Sequence, residues 1–152
     1  MGPTIDPLRL LGFDRWANRT LLERIPARET EALRLWDHVL GAQELWRRRV
    51  EGGASGGTDL WPAFAPEERA ERQTALQDAW RELLWRFAES NPAIGYRTSE
   101  GERYETSFLD LFAHVMHHGT HHRGQIVACL RRAGIEPPWL DYVAFVRQSP
   151  GL

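Results

Sequence analysis

Lysine is absent from this 152-residue sequence, in which all 19 basic residues are arginine. That excludes Schiff-base chemistry and a phosphate loop built around a P-loop lysine. Cysteine is nearly absent. Cys129 alone can form neither an internal disulfide nor a multi-cysteine zinc or iron–sulfur site, and its solitude fits a reducing compartment, so a cytoplasmic protein is expected. Long apolar runs are missing as well: no segment approaches the roughly 18–20 residues that span a bilayer. The opening MGPTIDPLRLLGFDRW carries charges at Asp6, Arg9, Asp14 and Arg15, unlike the apolar stretch of a signal peptide. The net charge of −2 is spread over interspersed acids and bases, with Arg47, Arg48 and Arg49 the one dense basic cluster. No nucleic-acid or membrane partner is expected from such a surface.

What the chain does have is helical periodicity and seven tryptophans, large rings that first imply a heavily packed core. A chain of this length can bury about 70 % of its unfolded surface, so one domain over residues 1–152 is expected. Pro7 opens a first helix that Pro26 stops, and Thr30 is a candidate N-cap for a second, which the glycines of GGASGG end. Residues 51–66 then form a long crossover loop with Trp61 and Phe64 as anchors. A third helix is predicted from Glu67 to Ser90. Tyr96 to Thr106 suggests a short hairpin or extended loop, and Ser107 is placed to cap a fourth helix that runs to Ala133, where Gly134 ends it. Trp139 to Val146 reads as a short docking helix or a tail. The expected class is therefore all-α, four long helices with a long connection between the second and third.

The fourth helix carries five of the six histidines, at positions 114, 117, 118, 121 and 122. Turning about 100° per residue from Phe108 puts Phe112, Val115, Ile126 and Leu130 within about 40° of one direction, the buried side. On that wheel His122 lies about 40° from the core direction, His118 about 80°, His114 about 120°, His121 about 140° and His117 about 180°. His117 and His121 face outward. His114 and His122 are about 12 Å apart along the axis, whereas zinc takes nitrogens at about 2.0–2.1 Å, so the three inward histidines cannot share one ion. His118 with His122 is the preferred pair, leaving His114 and Gln125 to orient a ligand ring or touch substrate. His38, on the second helix with Leu35, Ala42 and Leu45 on its face, can supply a third nitrogen. Three neutral imidazoles leave a fourth position for water or substrate, the arrangement of catalytic rather than closed structural sites.

Other residues in this stretch take plainer readings. Cys129 stands about 10 Å along the helix from His122, too far to join the same ion, and reads as a buried core thiol. Arg123 reads as a surface or interface cation. Gly124, inside a helix at a cost of about 1 kcal/mol relative to alanine, hints at close approach by another backbone.

With these residues in view the sequence resembles the DinB family of metal-dependent helical bundles, also called DinB/YfiT-like. The likeness runs through FDRWANRTLLERI, LWDHVLGAQELWRRRVEG, HVMHHGTHHRGQI and the closing PPWLDYVAFVR, the histidine-rich run being the most specific. The resemblance implies an up-down-down-up four-helix bundle, a divalent metal held by His38, His118 and His122, and in many relatives a homodimer. It also implies thiol S-transferase-like chemistry, in which a low-molecular-weight thiol such as bacillithiol is added to a small-molecule electrophile; more distant relatives include a mycothiol-dependent maleylpyruvate isomerase. Zinc or nickel is the first expectation for the ion, with iron or manganese next. A non-catalytic metal- or ligand-binding module and a metal-dependent hydrolase or isomerase remain as alternatives.

Overall fold

Five helices and one two-stranded sheet make up residues 5–53 and 56–148, the parts of the chain that the computed structural model describes. Ala54 and Ser55, in the glycine-rich segment expected to end the second helix, lie outside them. Helix α1 (Pro7–Leu22) begins where the sequence says it should: Asp6 Oδ1 accepts the Leu8 N–H at 2.9 Å, and Pro7 sits where a missing N–H costs nothing. Helix α2 (Thr30–Val50) differs slightly from expectation. Thr30 is its first helical residue, and the flanking Glu29 makes no side-chain cap. Helix α3 (Arg69–Phe87) is shorter at both ends than Glu67–Ser90. Helix α4 (Phe108–Arg132) is capped by Ser107, whose Oγ accepts from the Asp110 N–H at 3.2 Å, and is ended by Gly134 at φ 71°, a left-handed turn that glycine takes without strain. Helix α5 (Tyr142–Gln148) docks through Phe145, 3 % exposed, onto Phe13 and Trp16.

The all-α expectation needs correction. Strands β1 (Ala93–Arg97) and β2 (Arg103–Ser107) form a genuine antiparallel pair, from Ala93 opposite Ser107 to Arg97 opposite Arg103. Two strands this short are marginal in water, and packing holds them: Tyr96 meets Trp46 of α2 edge-on at 5.1 Å, and Ile94 packs against the core. The protein is thus mostly helical with a small sheet. Among the long helices α2 packs on α4, α4 on α1, α1 on α3 and α3 on α2. Trp36, Trp80, Phe108, Ile126 and Leu130 fill the space between them, all nearly inaccessible to water.

A second correction concerns Arg123, which is buried, not on the surface. Its Nη1 donates to Asp14 Oδ1 at 2.5 Å and to Asn18 Oδ1 at 2.8 Å. Asp14 Oδ2 in turn accepts from Asn18, Gln43 and Gln77 at 3.1, 2.8 and 2.7 Å. One carboxylate therefore bonds side chains from all four long helices, and Gly119 leaves room for it, since a Cβ there would meet Asp14 Oδ1 at 3.0 Å and Arg123 Nη1 at 3.1 Å. Gly124 has no such reason: an added Cβ meets nothing within 4 Å, so the expected close backbone approach does not exist.

The crossover loop is pinned at Gly41. A Cβ on that residue would stand 2.8 Å from Pro62 Cδ and 3.0 Å from the carbonyl oxygens of Asp59 and Leu60. Asp37 holds the same loop further along, accepting from the Phe64 N–H at 3.2 Å and from Arg69 at 2.7 and 2.8 Å. Gly41→Ala gains about 1 kcal/mol of helix propensity but collides with backbone that cannot rotate away, an overpacking cost of about 1–3 kcal/mol. The expected net result is a lower denaturant midpoint and faster proteolytic cleavage within residues 51–66. A midpoint raised by the helix-propensity gain, with cleavage unchanged, would contradict it.

Candidate metal centre

Helix α2 carries His38 and helix α4 carries His118 and His122, and the packing of these two helices brings the three imidazoles together. One nitrogen from each ring lies within 4.8 Å of the others, the Nε2 atoms of His118 and His122 being 3.1 Å apart. Nitrogens bound to one tetrahedral zinc stand about 3.3 Å apart, so the pair on α4 already has coordination spacing. Ring centroids of His38 lie 5.2 Å from His118 and 4.5 Å from His122.

Proton positions follow from the partners. His38 Nδ1 lies 2.6 Å from the Leu60 carbonyl oxygen, which can only accept, so Nδ1 carries the hydrogen and Nε2 keeps a bare lone pair. His122 Nδ1 donates to Gln125 Oε1 at 2.7 Å, which bares its Nε2 likewise. That nitrogen faces His118 Nε2, and two lone pairs at 3.1 Å repel unless a proton or a cation lies between them. The donor set fits a divalent cation.

Electrostatics keep these rings neutral. Burial pushes His118 down to about 4, and the neighbouring His122, His38, His114 and His121 add to the shift. Burial also lowers His38, opposed by the Leu60 carbonyl and assisted by Arg34, and lowers His122, opposed by its bond to Gln125. Neutral imidazole is the ligand form, so protons compete weakly for these nitrogens at neutral pH. In the metal-free protein the sign is definite: the unfolded chain takes up protons on these rings as pH falls below about 6.5, whereas folded His118 resists until about 4. The stability tied to neutral His118 is complete above pH 6.5 and is lost as pH falls through that window. Metal-free protein should therefore lose thermal stability from pH 7 to pH 4 more steeply than a His118→Gln variant; parallel curves would contradict the assignment.

The remaining histidines divide as follows. His117 and His121 are exposed, as the wheel predicts. His114 is exposed too, resting edge-on against Trp46 at 5.0 Å with its ring 6.1 Å from His118, one turn away. Gln125 is the residue that reaches a candidate ligand directly. Two features escaped the sequence reading: the Leu60 carbonyl, and Trp61, whose ring stacks on His38 at 3.7 Å and carries the Arg34 guanidinium 4.2 Å above it. Trp61 read as a loop anchor, and what it anchors is the candidate ligand. Beside His122 opens a cavity of about 420 Å³ lined in part by Trp61, Glu31, Arg34, Cys129 and Arg132. Cys129 is buried as expected, its sulfur accepting from Arg132 at 3.2 Å.

The profile of the DinB family matches residues 11–150. The chain belongs to the DinB family. Among curated proteins it is similar to Protein DinB of Bacillus subtilis (strain 168), 47 % identical over 99 residues that cover 57 % of this chain and 58 % of that relative. The match thus spans little more than half the relative's length. No solved structure gives a significant match. Among the described residues no helix is long and apolar enough to cross a membrane.

Proposed function

We propose that His38, His118 and His122 bind one divalent metal ion and that this DinB family member is a metal-dependent thiol S-transferase, joining a low-molecular-weight thiol to a small electrophile. The observation that carries the metal site is the convergence of one imidazole nitrogen from each of three histidines, those of His118 and His122 standing 3.1 Å apart, the spacing of two ligands on one ion. When bound, a divalent cation on neutral imidazoles supplies Lewis acidity that favours the thiolate form of a thiol. Zinc or nickel suits this ligand set best, iron or manganese less well. The chain's own groups do the positioning. Leu60 and Gln125 fix the proton of His38 and of His122 on Nδ1, and Trp61 covers one face of the His38 ring against water. The cavity beside His122 offers room for a small electrophile next to the site.

A hydrolytic reading lacks a base. Glu31 lines the same cavity, but Arg34 bonds both its oxygens at 2.9 and 3.0 Å and holds its carboxyl below the usual range. The test is conjugation of a small thiol to a generic electrophile by zinc-loaded protein, with His122→Ala expected to fall to the uncatalysed rate. Equal rates would sink the transferase reading and leave a non-catalytic metal- or ligand-binding module.

The finer architecture belongs to the same reading. The closed circuit of contacts among α1, α3, α2 and α4 and the long connection after α2 support an up-down-down-up four-helix bundle, with residues 1–152 as one domain. Cytoplasmic residence is supported by the single buried thiol. Homodimerisation, proposed by family likeness, is checked by light scattering on the eluting protein.

A further inference from the structure

The cavity beside His122 carries charges that the three histidines do not explain, from Glu31, Arg34 and Arg132. Glu31 belongs to Arg34, which bonds both its oxygens at 2.9 and 3.0 Å and whose guanidinium lies 4.2 Å above the Trp61 ring. Arg132 has no carboxylate partner among the described residues. Its Nη2 donates instead to Cys129 Sγ at 3.2 Å, and Cys129 is part of the same cavity wall. Its charge also reaches Glu31: the hydrogen bonds and charge of Arg34 hold that carboxyl below its usual range, and the charge of Arg132 adds to the effect.

The last turn of α4 holds two arginines, and either suits the negative end of the helix. They part company at the surface, where Arg132 lines this cavity and Arg131 lines a separate one with Phe13 and Trp139. Two guanidiniums against one carboxylate leave the cavity beside His122 with one positive charge in excess. The three imidazoles bring no negative charge, so a divalent ion on them adds its whole charge to the same side. Leu35, Trp61 and Ala128 give the cavity apolar wall, and Cys129 stands about 10 Å along α4 from His122. A ligand that touches both ends is therefore elongated, apolar in its body and anionic at the end away from the histidines.

We infer that the reactant filling this cavity carries a carboxylate that pairs with Arg132, and that Arg132 is the residue selecting acidic substrates over neutral ones. The inference rests on the transferase reading, in which sulfur is held at the histidines and the cavity takes what is attached to it or reacts with it. A guanidinium presents a planar fork of N–H donors that matches a carboxylate, and the Cys129 sulfur it now meets is a weak acceptor, easily exchanged for a charged oxygen. The carboxylate belongs either to the thiol or to the electrophile, and the two arms of the test separate them.

The test uses the full chain loaded with cobalt(II), which gains an intense absorption band when a thiolate binds it. In the first arm this protein is titrated with 6-mercaptohexanoate and with 6-mercaptohexanol, and the band reports binding without turnover. In the second, with 2-mercaptoethanol saturating, it is given 6-bromohexanoate or 6-bromohexanol; the thiolate displaces bromide and a thioether forms. In at least one arm the acid should be favoured over the alcohol by at least about tenfold, in dissociation constant or in kcat/KM, and that arm names the reactant that bears the carboxylate. Arg132→Gln should abolish the preference. Arg131→Gln, which removes an equal charge from the same turn outside the cavity, should keep it. Both side chains are exposed, so neither change disturbs the packed core. No preference in either arm, a preference that survives Arg132→Gln, or one lost equally in Arg131→Gln would overturn the inference and leave the transferase reading standing. A cobalt-loaded parent that shows no thiolate band with any of these thiols would overturn the transferase reading itself, and this inference with it.

Discussion

Asp14→Ala is expected to destabilise the protein by about 3–5 kcal/mol, the cost of stranding a buried charge by removing its partner. Arg123 is 4 % exposed and would keep only the neutral oxygens of Asn18 and Thr120. The amides of Asn18, Gln43 and Gln77 would lose their common acceptor at the same time. Against a typical total of about 5–15 kcal/mol, this is a large fraction. Arg123→Met should cost less, because the Asp14 carboxylate keeps three N–H donors on Oδ2. Urea unfolding checks both. A loss under about 1 kcal/mol for Asp14→Ala would mean that the four helices do not depend on this carboxylate.

The second large effect is expected from metal loading. An ion that binds only the folded chain adds about 4 kcal/mol at a thousandfold excess over its Kd, so zinc should raise the unfolding temperature sharply. His38→Ala, His118→Ala and His122→Ala should each abolish that gain. Gln125→Leu should keep it but weaken affinity about 10–100-fold, because the Gln125 carbonyl orients the His122 ring without touching the ion. Thermal shift against free zinc concentration separates the two outcomes. A His38→Ala chain that gains as much as the parent would remove α2 from the site.

Much of this was legible in the residues, for physical reasons. A 3.6-residue repeat and proline and glycine punctuation gave all four long helices. The histidine wheel separated inward from outward rings because the apolar stripe from Phe108 to Leu130 is unambiguous. Only a residue distant in sequence needed the chain to fold: that His38 meets His118 depends on α2 packing against α4, which the family likeness anticipated and spacing alone does not dictate. The misreading of Arg123 has a specific cause. On the wheel that places the histidines it stands about 60° from the core direction, further inward than His118, a position that argues for burial where its charge argues for solvent. Asp14 carried the same signal, lying on the buried stripe of Leu11, Asn18 and Leu21. Two polar residues on buried stripes of different helices can satisfy each other, and a sequence shows the stripes without showing the pairing.

Other features could not be read at all. The Leu60 carbonyl that fixes the His38 proton is backbone, and any residue could supply it. The hairpin was visible only as an ambiguity, since two five-residue strands are marginal by themselves and, despite β formers at Ile94, Tyr96, Tyr104 and Thr106, rely on Trp46 and the core for support.

The central claim, that imidazoles from two helices share one cation, is tested most directly by X-ray absorption at the zinc edge of tag-free, zinc-loaded protein. The account predicts three imidazole nitrogens at about 2.0–2.1 Å and their reduction to two in His38→Ala. A first shell with fewer than three imidazoles in the parent, or a spectrum that His38→Ala leaves unchanged, would contradict it.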